Sequence, residues 1–335
     1  MDILIIEPLD PEALAWLSAR HAVRYEPELA DEPLRLRQSL VDVRALIIPP
    51  SVSLDAFAIQ QAPMLRAVGR LSSGAENIDI EACLRANIEV VRPKDASSVA
   101  EAEFAVGALL QLLRRVPVVN AEGLLVGREL SASTIGLLGM TSTARPLARL
   151  LQAFGARVIG YDPALHVSDP AWQRHGVAPL ALRELFAQSD GVCVLLSYFS
   201  RYHGLIGEHF LDHCKANQVV VSLAPASLFD EAALSYALGS GRLAGAWFDS
   251  VEPGMLDPGR PLHGADTLQV TPRVAGTTRE SRQRGAWAVA RRVSELLSPH
   301  EELATPAVPR TTALPALSAA PTSDLAGLSG APPTA

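Results

Sequence analysis

Lysine is almost missing from this sequence. Lys94 and Lys215 are the only two in 335 residues, and arginine carries the rest of the basic charge, a pattern read as coding bias rather than function. Acidic residues outnumber basic ones by 36 to 29, for a formal net charge of −7. No nucleic acid or anionic membrane is therefore expected as a partner reached by bulk electrostatics. The cysteines, Cys83, Cys193 and Cys214, are odd in number and far apart, which suggests neither a disulfide framework nor a metal knuckle. No apolar stretch runs uninterrupted to membrane-spanning length, and no basic segment with an apolar run precedes the strand-like residues 3–6. A soluble cytoplasmic protein is the expectation. What is present is an ordinary core composition, 48% hydrophobic and 19% charged, which rules out whole-chain disorder. The length suits two compact domains.

Short β-rich runs alternate with amphipathic stretches almost throughout. Strands are expected at 3–6, 45–48, 67–69, 88–91, 134–138, 157–161, 192–196, 219–223, 245–248 and 267–270. Helical spacing of apolar residues appears at 11–20, 100–115, 144–154 and 231–238. This alternation implies parallel sheets covered by helices on both faces. The stretch 100–116 reads as the longest helix and could cross from a first domain into a second. A final helix, 282–297, has no strand after it and could pack back on the first domain. Beyond it, Pro306, Pro309, Pro315, Pro321, Pro332 and Pro333 punctuate an Ala/Thr/Ser/Leu-rich stretch, so residues 302–335 are expected to be a disordered tail.

The segment 134–144, TIGLLGMTSTA, ends a strand and opens a helix, and Asp162 closes the following strand. That is the layout of a dinucleotide-binding turn: a tight glycine turn, a helix N-terminus offering N–H groups to a pyrophosphate, and an acid for the ribose hydroxyls. The pattern G-x-G-x-x-G is met only as Gly139-x-Thr141-x-x-Ala144. Alone, a tight βα turn without a ligand explains this segment as well.

Further blocks lie in a specific order. Arg70-Leu71-Ser72-Ser73-Gly74-Ala75-Glu76-Asn77-Ile78-Asp79 is followed by Val99-Ala100-Glu101-Ala102-Glu103 with Gly107, then the glycine turn and Tyr161-Asp162-Pro163. After these come Leu228 to Leu234 (LFDEAAL), Leu243-Ala244-Gly245-Ala246, and Thr271 to Thr278 (TPRVAGTT). Together they resemble the D-isomer-specific 2-hydroxyacid dehydrogenases over roughly residues 60–297. The resemblance implies an α/β fold of two doubly wound parallel-sheet domains, with a Rossmann-type nucleotide domain (100–280) inserted into a flavodoxin-like substrate domain (1–99 plus 281–301). It also implies NAD as cofactor, a small carboxylate-bearing substrate in the cleft, and a homodimer. Asp162 favours NAD over NADP, since a 2′-phosphate would meet a like charge.

Residue by residue, the family's catalytic set is broken. Pro225 stands where the family has its substrate-binding arginine, and Arg273 where it has its histidine after Thr-Pro. Glu252, before Pro253, is a counterpart of the family glutamate if two residues are deleted after Asp249. Asp249 matches the position facing the nicotinamide carboxamide. On the cofactor side the resemblance assigns Gly139, Thr141, Ser142, Thr143 and Asp162, with Ser142 replacing an arginine near the pyrophosphate. Ser72, Ser73 and Gly74 remain to receive an acid. Residues 195–202, LLSYFSRY, replace the family's H-x-P-x-T-x-x-T; Tyr198, Phe199 and Tyr202 read first as packing groups.

Loss of a general acid/base removes about 10²–10⁴ in rate, and loss of a cationic donor roughly another 10²–10³. Arginine cannot shuttle protons near neutral pH, but it can clamp a carboxylate. Arg273 is therefore expected to take over the cationic role vacated at Pro225, leaving the proton to Glu252, Tyr198, Tyr202, His203 or water. Three readings stay open: an NAD-dependent oxidoreductase with an altered proton path; an inactive NAD- or acid-binding sensor or partner subunit; and a tightly bound NAD enzyme with other chemistry. His209 and His213 stand at i, i+4 without a third ligand, so no metal is expected.

Overall fold

Parallel pairing joins every strand of two sheets in the computed structural model, which describes residues 2–298 apart from 73, 76, 94, 116, 117, 120–122 and 124. The expected tail at 302–335 lies outside the described residues. The first sheet contains β1 (Ile3–Ile5), β2 (Val23–Tyr25), β3 (Ala45–Ile47), β4 (Ala67–Gly69) and β5 (Glu89–Val91), in the order β2-β1-β3-β4-β5. Helices α1 (Pro11–Ser18), α2 (Pro33–Ser39), α3 (Ala56–Gln60) and α4 (Ile80–Arg85) connect them. Ile3, Leu4, Ile5, Ala45, Leu46 and Ile47 are fully buried, as strands covered on both faces require.

Helix α5 (Ser98–Arg115) leads to a short antiparallel pair, β6 (Val118–Val119) and β7 (Leu125–Val126), and then to the second sheet. Its elements are β8 (Thr134–Leu138), α6 (Ala144–Ala153), β9 (Arg157–Tyr161), α7 (Pro170–His175), β10 (Ala178–Pro179), α8 (Leu182–Gln188), β11 (Gly191–Val194), α9 (Glu208–Leu211), β12 (Gln218–Ser222), α10 (Glu231–Gly239), β13 (Leu243–Phe248) and β14 (Leu268–Val270). Among the described residues seven strands pair in the order β10-β9-β8-β11-β12-β13-β14. The strand order reverses between β1 and β3 in one sheet and between β8 and β11 in the other. Such reversals open a crevice at the carboxyl ends of the strands, where α/β folds bind ligands. Both sheets thus follow the doubly wound pattern, one in flavodoxin-like and one in Rossmann order.

The last helix, α11 (Arg279–Leu297), returns to the first sheet. Val289, Val293 and Leu297 pack with Ile3, Ile5 and Ile47, each such side chain contributing about 1.5–3 kcal/mol by burial. Trp287 meets Trp16 edge-on at 5.9 Å, and Arg44 donates to the Leu297 carbonyl at 3.0 Å. A capping box between Thr278 and Ser281 starts the helix at Arg279, three residues before the apolar periodicity becomes readable. At 19 residues it exceeds α5, at 18, which corrects the expectation that the stretch from 100 is the longest helix. Strand β11 stops at Val194 rather than 196.

Candidate active site

The glycine turn after β8 is closed by backbone contacts. Gly139 has φ +101°, and a Cβ there would lie 2.8 Å from the backbone of Leu196, so only glycine fits without displacing the chain after β11. Its N–H donates to the Tyr161 carbonyl at 2.8 Å. The Met140 N–H donates to Asp162 Oδ2 at 2.6 Å, and Asp162 Oδ1 accepts the Ala164 N–H at 2.8 Å. Asp162 is half-buried at the mouth of the turn, and each oxygen keeps a lone pair for a further donor.

Thr141 is half-buried and Ser142 exposed. Thr143, at the N-cap of α6, makes no side-chain cap; its buried hydroxyl donates to Glu101 in the first turn of α5. Thr143 thus does not cap α6, and the turn, the acid and the close Gly139–Leu196 approach fit a dinucleotide cradle.

At the carboxyl end of β12, Pro225 opens a single 3-10 turn, Ala226–Leu228. The Ser227 N–H donates to Glu252 Oε1 at 2.9 Å, while Glu252 Oε2 is buried without a hydrogen-bond partner among the described residues. The Ser227 carbonyl accepts the Gly204 N–H at 2.9 Å, tying the segment after β11 to the same turn. In that segment Tyr198 is 39% and Phe199 53% exposed, which corrects the expectation of packing for these two, while Tyr202 is half-buried against the core as expected. Arg201 lies over the Phe199 and Tyr202 rings, 5.0 and 4.9 Å from their centroids.

Asp249 ends β13 and is buried. Its carboxylate accepts the Thr271 hydroxyl at 2.8 Å and the N–H groups of Val274 and Ala275 at 2.9 Å each. The Asp249 carbonyl accepts the Arg273 N–H. Five residues, 271–275, are therefore folded around one side chain. Arg273 occupies the apex at φ +56°, a left-handed conformation that costs a non-glycine residue about 1–2 kcal/mol. Its guanidinium is exposed, and no hydrogen bond or ion pair to it is seen among the described residues. Neither is Arg273 joined to Glu252 there.

The loop expected to receive an acid follows β4. Arg70, 2% exposed, donates to Ser72 Oγ at 2.8 Å and to the Asn77 side-chain oxygen. Asn77 in turn donates to the Pro49 carbonyl at 3.2 Å. Ser72 is exposed and Gly74 half-buried; Ser73 lies outside the described residues. Glu7 and Glu101 were missed as site residues at the level of sequence. The available signal was a carboxylate directly after an apolar strand run and one inside the block 99–103.

Among the described residues no three metal-ligating side chains gather. Burial pushes the Cys193 and Cys214 thiols up to about 12 and Cys83 to about 11, so none supplies a thiolate near neutrality. No helix of the described residues is long and apolar enough to cross a membrane.

Residues 108–275 match the family model described as D-isomer specific 2-hydroxyacid dehydrogenase, NAD binding domain. The chain is 32% identical over 304 residues to an (S)-sulfolactate dehydrogenase from Chromohalobacter salexigens, covering 88% of this chain and 98% of the relative. It is 29% identical to a D-3-phosphoglycerate dehydrogenase from Archaeoglobus fulgidus over 84% of this chain but only 54% of that protein. Among solved structures, a glyoxylate reductase from Paecilomyes thermophila superposes with a TM-score of 0.72 at 25% identity, over 89% of this chain and 96% of that one.

Proposed function

The chain belongs to the D-isomer-specific 2-hydroxyacid dehydrogenase family, and from that premise we propose that it is an NAD-dependent oxidoreductase for a small carboxylate-bearing substrate, with Arg273 as the cation that holds it. Residues 1–99 with 281–301 form the substrate domain in this reading, and residues 100–280 the NAD domain. Relatives named for sulfolactate, phosphoglycerate and glyoxylate support a small acid as the substrate class. The observation that carries the assignment is the loop 271–275: both oxygens of Asp249 accept from the loop that presents Arg273, which is strained at φ +56° and, among the described residues, unpaired.

A bound nicotinamide dinucleotide supplies or takes the hydride. The chain's part is to hold the acid, orient its carbonyl and move one proton. Arg273 gives bidentate donors to a carboxylate or a carbonyl oxygen. Backbone N–H groups of 72–74 receive the acid from the other domain. Glu252, with one oxygen fixed by Ser227 and the other without a partner among the described residues, carries the proton. The protein works as a cytoplasmic homodimer in this account; light scattering of the purified protein tests the dimer.

A second reading, an inert binder of NAD or of an acid, is favoured by Pro225 in the place of the family arginine. One experiment separates the two. The purified protein is titrated with NADH by fluorescence and then supplied with a panel of 2-oxo acids. NADH consumption that disappears in Arg273→Met supports the oxidoreductase. NADH binding without consumption supports the inert reading. Substrate loss without net change in NADH points to redox-neutral chemistry, and absence of binding overturns the proposal.

A further inference from the structure

Glu7 is a buried acid that the proposed chemistry does not use. It follows β1 at the carboxyl edge of the first sheet, beside the reversal of strand order, and is 7% exposed. Its Oε2 accepts the Leu71 N–H at 3.3 Å. The carbonyl of the same residue faces α11, where a Cβ on Gly285 would come within 2.7 Å of it. Leu71 is thus tied to Glu7 at its N–H and lies close against Gly285 of the helix at its oxygen. Residues 72 and 74 of the stretch read as receiving the acid follow directly, Ser73 lying outside the described residues. Arg70, the residue before Leu71, donates to Ser72 and Asn77, so the start of this loop is fixed from within as well as by Glu7. Burial raises the pKa of Glu7 against the opposing pull of the Leu71 N–H, of Arg70 on β4's trailing end, and of Arg282 on the first turn of α11.

We propose that Glu7 is a positioning residue for the acid-binding loop, and that its neutral form is the one that admits a substrate carboxylate. The inference rests on the reading of 72–74 as the loop that receives the acid. A neutral Glu7 still accepts from Leu71 through its carbonyl oxygen. An ionised Glu7 sets a like charge behind the loop in a poorly screened interior. If an incoming carboxylate raises the Glu7 pKa by one unit, linkage makes binding about tenfold weaker once Glu7 is ionised.

The test is calorimetric titration of the NADH-loaded protein with oxamate between pH 5 and 8, in buffers of different ionisation enthalpy. The expected result is an affinity that falls several-fold as pH rises, with proton uptake on binding. In Glu7→Gln, which keeps the acceptor and removes the titration, both effects vanish. Equal pH slopes in the two proteins overturn the role of Glu7 while leaving the acid site standing. Should Glu7→Gln not fold, the wild-type protein decides alone, since binding without proton uptake overturns the proposal. Absence of oxamate binding at every pH, with NADH bound, overturns the acid-site reading and this inference with it.

Discussion

The carboxylate of Asp249 accepts the hydroxyl of Thr271 at 2.8 Å, and this contact anchors one end of the loop that presents Arg273. The same carboxylate takes the Val274 and Ala275 N–H groups, so the other end depends on it too. Asp249→Ala removes one buried acceptor from three donors and is expected to destabilise the protein by about 2–4 kcal/mol. Thermal melts read the loss. NADH affinity should survive better than affinity for the acid; an unchanged melting point would contradict the anchoring role.

Gly139→Ala forces a Cβ against the Leu196 backbone at φ +101°. The strain is expected to cost about 1–3 kcal/mol and to weaken NADH binding at least tenfold. Fluorescence titration and melting measure both.

Arg273→Gly separates stability from function. Relief of the left-handed backbone offsets the added freedom of the unfolded chain, so the melting point should stay level or rise. Acid affinity should fall about 10- to 100-fold with the loss of the charged hydrogen bonds. A large drop in melting point would show that the side chain is structural.

The pair Pro225→Arg with Arg273→His places at 225 and 273 the two residue types that the family resemblance leads one to expect there. Gain of 2-oxo acid reduction, assayed as NADH consumption, is the expected outcome. The 3-10 turn opened by Pro225 and the Ser227–Glu252 contact provide the frame for the returned arginine. No gain would mean that the cleft itself has changed.

Glu7 also predicts how stability varies with pH. Its folded pKa lies above the ordinary glutamate value of 4.5, so the folded state holds the proton longer than the unfolded one. Its contribution is present below the unfolded pKa and is lost as pH rises through the folded one. Glu7→Gln should therefore melt increasingly above wild type from pH 5 to 8. A difference independent of pH would contradict this.

Much of the architecture was legible because buried parallel strands are short apolar runs and their crossover helices carry a 3.6-residue stripe. The runs at 134–138 and 157–161 coincide with β8 and β9 to the residue. Elements such as β2, α3 and α9 passed unread, since three to five residues do not display a period. The glycine turn and Asp162 were readable from spacing alone. Their coupling through the Met140 N–H was not.

Local sequence determined where most strands lie, to within a residue or two at their ends, because a buried parallel strand is a short apolar run. Only the folded chain decided what the residues beyond the strand ends hold. Thr143 turns its hydroxyl to Glu101, 42 positions earlier, and Asp249 binds a loop more than twenty residues later. A buried carboxylate must find donors wherever packing brings them, and sequence distance does not record that.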